Sequence, residues 1–192
     1  MRPPVTVRPL DPGDALDLAA ARRVLGDYLD TTAVEMLEAR DEAAGSTRAE
    51  VDDFLRGIMP DVLDPVSAYA PDDCVLLIAE STSGPPGVVG CVGITPVDEA
   101  HTHPSATGSA DLAVTCEMNR LYVAPSHRGG GVARALIDSS REWARSHGYR
   151  RMILDVVPYR TGAIALYRSM GFRDGAAVVD HPVCTVPLEC DL

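Results

Sequence analysis

The chain has 192 residues, 46% hydrophobic and 23% charged, which suits one globular unit with a sizeable core and excludes a disordered or fibrous chain. Its net charge is −11, unevenly spread: residues 1–111 carry 20 Asp and Glu against 7 Arg, or −13, and residues 112–192 carry 8 against 10, or +2. An acidic first half repels a nucleic-acid backbone and suits a cationic partner, although the same asymmetry also serves simply to keep a surface solvated; the second half, whose basic residues are all Arg, can accept an anion.

In chain order, residues 5–10 alternate and predict a short strand. The turn DPGD at 11–14 leads into a helix over 15–29, with apolar residues spaced at Leu18, Ala21, Val24, Leu25 and Tyr28. A second helix is expected over 32–44. Thr47-Arg48-Ala49-Glu50 is a capping-box pattern with Val51, Phe54, Leu55 and Ile58 behind it, so a further helix starts there. Residues 74–79 and 88–97 are β-rich runs around the turn cluster SGPPG at 83–87 and predict a hairpin. Residues 98–109 read as a polar loop and 112–123 as a long strand. A helix follows the glycines at 129–131 and stops at His147-Gly148. Residues 152–157 form a strand and 161–170 a helix stopped by Gly171. Residues 172–180 and 183–192 predict two closing strands. No internal repeat or clear linker divides this order, so one α/β domain over 1–192 is expected.

The five cysteines, at 74, 91, 116, 184 and 190, are odd in number and contain no C-x-x-C pair, which fits neither a disulfide framework nor a zinc site. They are expected to be buried, reduced thiols, Cys91 and Cys116 inert among apolar neighbours. His101 and His103 form a lone H-x-H, a weak metal pattern, and no metal is expected. Trp143 reads as core. No run approaches the roughly 18 apolar residues of a membrane span, and the N-terminal MRPPVTVRPLDPGD lacks a secretory apolar segment. No membrane partner and a cytoplasmic location are therefore expected.

The informative stretch is SHRGGGVARAL at 126–136. Three glycines are a costly way to open a helix, because each loses more backbone freedom on folding than any other residue. Side chains are absent where a helix N-terminus presents unpaired N–H groups and about half a positive charge, a cradle for phosphate or pyrophosphate. Arg128 stands at its edge, in reach of a phosphate oxygen. The bland alternative is a flexible loop that only lets the helix pack closely. Neither the Walker pattern nor G-x-G-x-x-G is met, the latter because Arg134 occupies the third glycine position.

The run CEMNRLYVAPSHRGGGVARALIDSSREWARSHGYRRMILDVVPYRTGAIALYRSMGF resembles the GNAT superfamily of acetyl-coenzyme A-dependent N-acetyltransferases. Three blocks in order carry the likeness: the strand end Arg120-Leu121-Tyr122-Val123, the R-x-x-G-x-A loop as Arg128-Gly129-Gly130-Gly131-Val132-Ala133, and the A-x-x-L-Y-x-x-x-G-F helix from Ala163 to Phe172. It is specific over 116–173 and fades to element order over 1–68. It implies a single GNAT-like α/β domain: a mixed central sheet of about seven strands flanked by helices, splayed in a V at the cofactor site. Residues 112–173 would form the cofactor-binding core and 1–68 the acceptor side. Acetyl-CoA would lie in the splay, its pantetheine arm paired with the backbone of Leu121 and Val123 beside Tyr122, and its pyrophosphate on the N–H groups from Arg128 through Gly129, Gly130, Gly131 and Val132 to Ala133. No metal enters that chemistry.

Acetyl transfer to an amine requires loss of an ammonium proton, a donor to the thioester oxygen, and a proton for the leaving thiolate. On a regular strand Glu117, Asn119, Leu121 and Val123 share a face by period two, which makes Glu117 the candidate base, directly or through water. The alternative is a carboxylate paired with Arg120 or Arg151 for structure alone. Asn119 is the candidate to orient substrate or water, and the Val123 N–H the donor to the thioester. The resemblance assigns Tyr167 as the acid that protonates the thiolate; at helical spacing from Ala163 and Met170 it also reads as a core tyrosine. The family often carries Asn seven residues before this Tyr, where this chain has Arg160, a candidate for a cofactor phosphate or a substrate carboxylate.

The expected activity is transfer of acetyl from acetyl-CoA to a primary amine, of a small molecule rather than a protein N-terminus or lysine, in a ternary complex. The rival class is a non-catalytic acyl-CoA-binding sensor. The acceptor's identity and the acyl length are open, and the C-terminal edge strands offer a surface for a homodimer.

Overall fold

The computed structural model describes residues 5–39, 46–82, 87–97, 112–177, 179 and 182–192. Its centre is one mixed sheet of seven strands: β1 (Val5–Pro9), β2 (Val75–Ser81), β3 (Val88–Pro96), β4 (Thr115–Val123), β5 (Arg151–Val156), β6 (Arg173–Asp174) and β7 (Val186–Asp191). The spatial order is β1-β2-β3-β4-β5-β7-β6. Every neighbouring pair is antiparallel except β4 and β5, which run parallel.

The two faces follow from period two. On β2, Val75, Leu77 and Ala79 join one core cluster, while Leu76 and Ile78 join the other. The first cluster is completed by Val132, Leu136, Ile137 and Ala144 of α5 (Val132–Ser146). The second is completed by α1 (Ala15–Ala39) and α2 (Arg48–Ile58), through Val24, Leu25, Val51 and Leu55. With helices over both faces, β2 and β3 must be apolar on both sides, which is why they read as continuous runs. The short helices α3 (Pro60–Leu63) and α4 (Pro65–Ala68) each begin at a proline, whose fixed φ suits the first helical turn.

Three expectations change. The two helices expected over 15–29 and 32–44 are one helix to Ala39. Thr31 and Thr32, which look like a break, return their hydroxyls to the carbonyls of Asp27 and Tyr28, both at 2.8 Å, and so stay inside the helix. Residues 40–44 lie outside the described residues. The strand expected from 112 starts at Thr115. The strand expected over 172–180 is reduced to Arg173–Asp174, beside β7, and an isolated bridge at Val179, with residues 178 and 180 outside the described set.

Other local signals hold. Thr47 and Glu50 form both bonds of the capping box. Gly148 and Gly171 end their helices at φ 85° and 88°. The hairpin strands β2 and β3 pair as expected, with residues 83–86 of its turn outside the described set. Cys91, Cys116 and Cys190 are buried, but Cys74 is half-buried and Cys184 exposed, so burial of all five does not hold. Burial pushes the Cys91 and Cys116 thiols up to about 12, in keeping with inert core sulfurs. Trp143 is half-buried and stacked on His147, their ring centres 3.9 Å apart. Among the described residues no helix is long and apolar enough to cross a membrane.

Candidate active site

The parallel pair β4–β5 is joined only over Thr115–Glu117, against Arg151–Ile153. Beyond Glu117 the strands part: β4 continues along β3, and β5 continues along β7. This is the V-shaped splay, and Glu117 is its last paired residue. A hypothetical Cβ at Gly90 of β3 would sit 2.6 Å from the Tyr122 carbonyl, so that carbonyl faces β3. Strand alternation then turns the backbone groups of Leu121 and Val123 the other way, into the gap.

Period two breaks inside β4. Cys91 pairs with Tyr122 and Gly93 with Asn119, so β4 holds one residue more than β3 over this interval. Arg120 sits at this bulge with φ 53°, the one non-glycine positive φ among the described residues. The left-handed conformation of a side-chain-bearing residue costs about 1–3 kcal/mol. Its consequence corrects the shared face expected for Glu117, Asn119, Leu121 and Val123. Cys116 and Met118 before the bulge, and Leu121 and Val123 after it, pack on the α5 side, whereas Tyr122 packs on the α1 side, where Asn119 meets Tyr69. Glu117, one residue from Cys116 and Met118, shares the α1 side with Asn119.

Side chains hold the bulge. Arg120 donates through Nε and Nη2 to the two oxygens of Asp61 on α3, both at 2.7 Å, with each side chain 19% exposed. The Tyr69 hydroxyl lies 3.2 Å from Asp61 Oδ2 and 3.1 Å from Asn119 Oδ1. Burial first, then the Asp61 charge, holds this phenol well above its ordinary value, so it remains a donor. Asn119 in turn donates to Thr95 Oγ1 at 3.1 Å. A Cβ on Gly93 would collide with Asn119 Oδ1 and the Tyr69 hydroxyl, so any side chain there must push this network aside. Asn119, expected to orient substrate or water, is thus bound within the protein. Asp61, Tyr69 and Gly93 escaped sequence reasoning. A lone glycine inside an apolar strand run was the available signal, since it marks bulges and close approaches.

After β4, a single 3₁₀ turn (Pro125–His127) leads into the glycines. Gly129 and Gly131 adopt φ 76° and 86°, while Gly130 does not need a positive φ. Gly131 is the N-cap of α5, with no side chain capping that end. Open space surrounds the Cβ position of Gly129. The turn therefore exposes uncapped N–H groups of Val132 and Ala133 at the positive end of a helix, a fit for a pyrophosphate.

Two arginines depart from expectation. Arg128 folds back and donates from Nε to the Val123 carbonyl at 2.9 Å, with its guanidinium 6.0 Å from the Tyr122 ring centre. It closes the end of β4 and takes one of the backbone groups expected to pair with a pantetheine arm. Arg160 reaches α1: Nε donates to Glu35 Oε2 at 2.6 Å and Nη2 to Thr32 Oγ1 at 2.8 Å, over the Tyr28 ring. Its charge bridges the two sides of the cleft.

Tyr167 on α6 (Thr161–Ser169) is buried, edge-on to Phe172 with ring centres 5.7 Å apart. Burial, followed by the neighbouring Tyr28, raises its hydroxyl well above the usual phenol value, and Arg160 opposes this weakly. It is protonated throughout the neutral range. Glu117 is half-buried, while Arg120 and Arg151, weighed as its structural partners, pair with Asp61 and Glu189.

All the candidates but Gly130 meet in one cleft of about 1800 Å³. One side is β4, the glycine turn and the start of α5; the other is the second half of α1 with α2 and α3; β5 and α6 close the end. Glu117, Asn119, Leu121, Tyr122, Val123, Arg128, Gly129, Gly131, Val132, Ala133, Arg160 and Tyr167 line it, and Gly130 does not. Tyr28, Glu35, Phe54 and Ile58 join them from helices on which the sequence offered no candidate site residue. His101 and His103 lie outside the described residues.

A splayed parallel pair, an uncapped glycine turn at its mouth and a protonated tyrosine within it define an acyl-transfer class of fold. The comparison with known families agrees: the Acetyltransferase (GNAT) family matches residues 31–172, and the chain belongs to that family of enzymes. An N-acetyltransferase of Schizosaccharomyces pombe is 28% identical over 126 residues, 66% of this chain and 68% of that one. Human N-acetyltransferase 8 is 36% identical over 86 residues, 45% of this chain and 34% of its own. The N-acetyltransferase YjgM of Escherichia coli is 34% identical over 107 residues, 55% and 54% of the two chains. The match thus spans from about a third to just over two thirds of these relatives' lengths. An acetyltransferase from Streptococcus agalactiae shares the fold at TM-score 0.66 and 16% identity, over 98% of this chain and 99% of that one. An N-acetyltransferase from Thermoplasma acidophilum, solved in complex with coenzyme A, shares it at TM-score 0.59 and 13% identity, over 98% and 99%.

Proposed function

We propose that the protein is an acetyl-CoA-dependent N-acetyltransferase that acts on a primary amine, carried by a small molecule, through direct attack in a ternary complex. The observation that carries this reading is the splay itself. Backbone groups of Leu121 and the Val123 N–H face a gap that ends at uncapped N–H groups with no side chain over them. A relative in fold was solved with coenzyme A, which supports that ligand class. Acetyl-CoA supplies an activated acetyl thioester there.

The chain's own groups divide the work. The turn from Gly129 to Ala133 would hold the pyrophosphate, with backbone donors and no metal ligand. The Val123 N–H would stabilise charge building on the carbonyl oxygen. Tyr167, kept neutral by burial, holds a proton for the departing sulfur. Glu117, at the root of the splay and on the α1 side, is the group to accept the ammonium proton. Glu38, which lines the acceptor side with it, favours a cationic amine, whereas the charge of Glu35 is already met by Arg160.

Calorimetric titration with acetyl-CoA, with ATP and NAD as controls, tests the reading. At about 100 times its dissociation constant a bound ligand adds about 2.7 kcal/mol to the folded state, so a thermal shift should accompany the heat. Binding of acetyl-CoA alone, abolished in Gly131→Glu, is the expected result; no binding at millimolar ligand removes the reading.

A further inference from the structure

The bulge in β4 decides which backbone groups face the gap. Without the extra residue, everything after Arg120 would shift by one and exchange sides, turning Leu121 and Val123 toward β3 and Tyr122 into the splay. A glycine would adopt φ 53° far more readily than any residue with a side chain. The chain has arginine there, so the guanidinium itself is in use. Its two bonds end on Asp61, on a helix of the acceptor side, and the Tyr69 hydroxyl sits between the same carboxylate and Asn119 Oδ1, with its one proton shared between the two acceptors.

We propose that Asp61, Tyr69 and Arg120 are positioning residues for acyl transfer: their network clamps the acceptor-side helix α3 to the bulge and so fixes the backbone of Leu121 and Val123 in the orientation that receives the acyl donor. None of the three is required to touch the donor. The proposal rests on the acetyl-transfer reading above and adds to it a link between the two sides of the cleft. The packing around the network supports this use. Gly93 leaves room for it at the expense of any side chain, and β3 and β4 are otherwise in register on either side.

The test is the double variant Asp61→Asn with Arg120→Gly. It removes the ion pair without leaving a buried charge alone, and it leaves a residue free to adopt the left-handed conformation. Melting temperature, affinity for acetyl-CoA by calorimetry, and the carbon-13 shift of carbonyl-labelled acetyl-CoA on binding are measured on the same samples. The expected result is a folded protein whose dissociation constant rises tenfold or more and whose bound carbonyl loses the wild-type shift. Wild-type affinity together with the wild-type carbonyl shift in the folded double variant overturns the proposal, because the pair would then serve stability alone. If the double variant does not fold, Tyr69→Phe, which deletes only a hydroxyl, decides. A threefold or larger rise in the dissociation constant at unchanged melting temperature supports the proposal, and wild-type affinity overturns it. Failure of the wild-type protein to bind acetyl-CoA overturns the acetyl-transfer reading, and this inference with it. A wild-type protein that binds beside a variant that binds equally well overturns the inference alone.

Discussion

On the side of the cleft made by β4, the glycine turn and α5, the groups that carry the proposed binding are backbone: Leu121, the Val123 N–H and the first turn of α5. On the opposite side, α1 and α2 present side chains: Tyr28, Thr32, Glu35, Phe54 and Ile58. The first side has dispensed with side chains where they would obstruct, at Gly129 and Gly131. The second is held by ion pairs, with Arg8 shared between Asp17 and Glu80 and Arg48 between Asp30 and Asp52. A backbone surface binds a ligand common to a whole family, so its sequence demands are few and recur. A side-chain surface selects one acceptor among many, so its residues follow no shared pattern. Arg160 and the Asp61–Arg120 pair join the two.

Gly131→Glu should have the largest effect. It places a side chain at φ 86°, over the α5 donors, and brings a negative charge to a phosphate cradle. Acetyl-CoA affinity should fall at least about 100-fold by calorimetry, a loss of about 2.7 kcal/mol. Tyr167→Phe comes next and separates chemistry from binding. Turnover should fall about 100-fold, the lower range for a positioned acid, with the dissociation constant of coenzyme A unchanged. Equal turnover would return Tyr167 to the core and favour the sensor reading. Gly93→Ala tests the join between the sides. Its methyl would overlap the Tyr69 hydroxyl and Asn119, so stability should drop by about 3 kcal/mol in urea melts.

The smallest effects belong to the acceptor side away from the cleft. Asp17 accepts two bonds from Arg8 and one from the Asp11 N–H, and the Arg8 bonds, outweighing burial, hold its carboxyl below the usual value. A depressed carboxyl stabilises the fold above its unfolded value of about 3.9 and loses that contribution as pH falls through the folded value. The stability gap between wild type and Asp17→Asn should therefore be full at pH 7 and shrink below about pH 4. Thr47→Ala, which deletes a helix cap, should cost about 1 kcal/mol at every neutral pH.

Local chemistry was readable wherever it acts within a few residues. The capping box at Thr47, the glycine stops at Gly148 and Gly171 and the β2–β3 hairpin were all legible, because neighbours in the chain supply their partners. The break expected at Thr31 and Thr32 was misread for the opposite reason: their hydroxyls find carbonyls one turn back, which a composition signal does not reveal. The shared face of Glu117, Asn119, Leu121 and Val123 failed because period two assumes a regular strand, and the bulge at Arg120 removes that assumption.

From the sequence alone came the order of the seven strands, the family, and the glycine stretch as the candidate anion cradle, since each depends on patterns of period, spacing and missing side chains along one chain. Tertiary structure decided where the charges went. Arg128, Arg160 and Arg120 each carry a guanidinium that sequence reading left open to a ligand or to Glu117, and each is claimed by a group 5, 125 or 59 residues away. Long side chains end on whatever the fold brings near, and that proximity is written in the packing of α1 and α3 against β4, not in the spacing of the residues themselves.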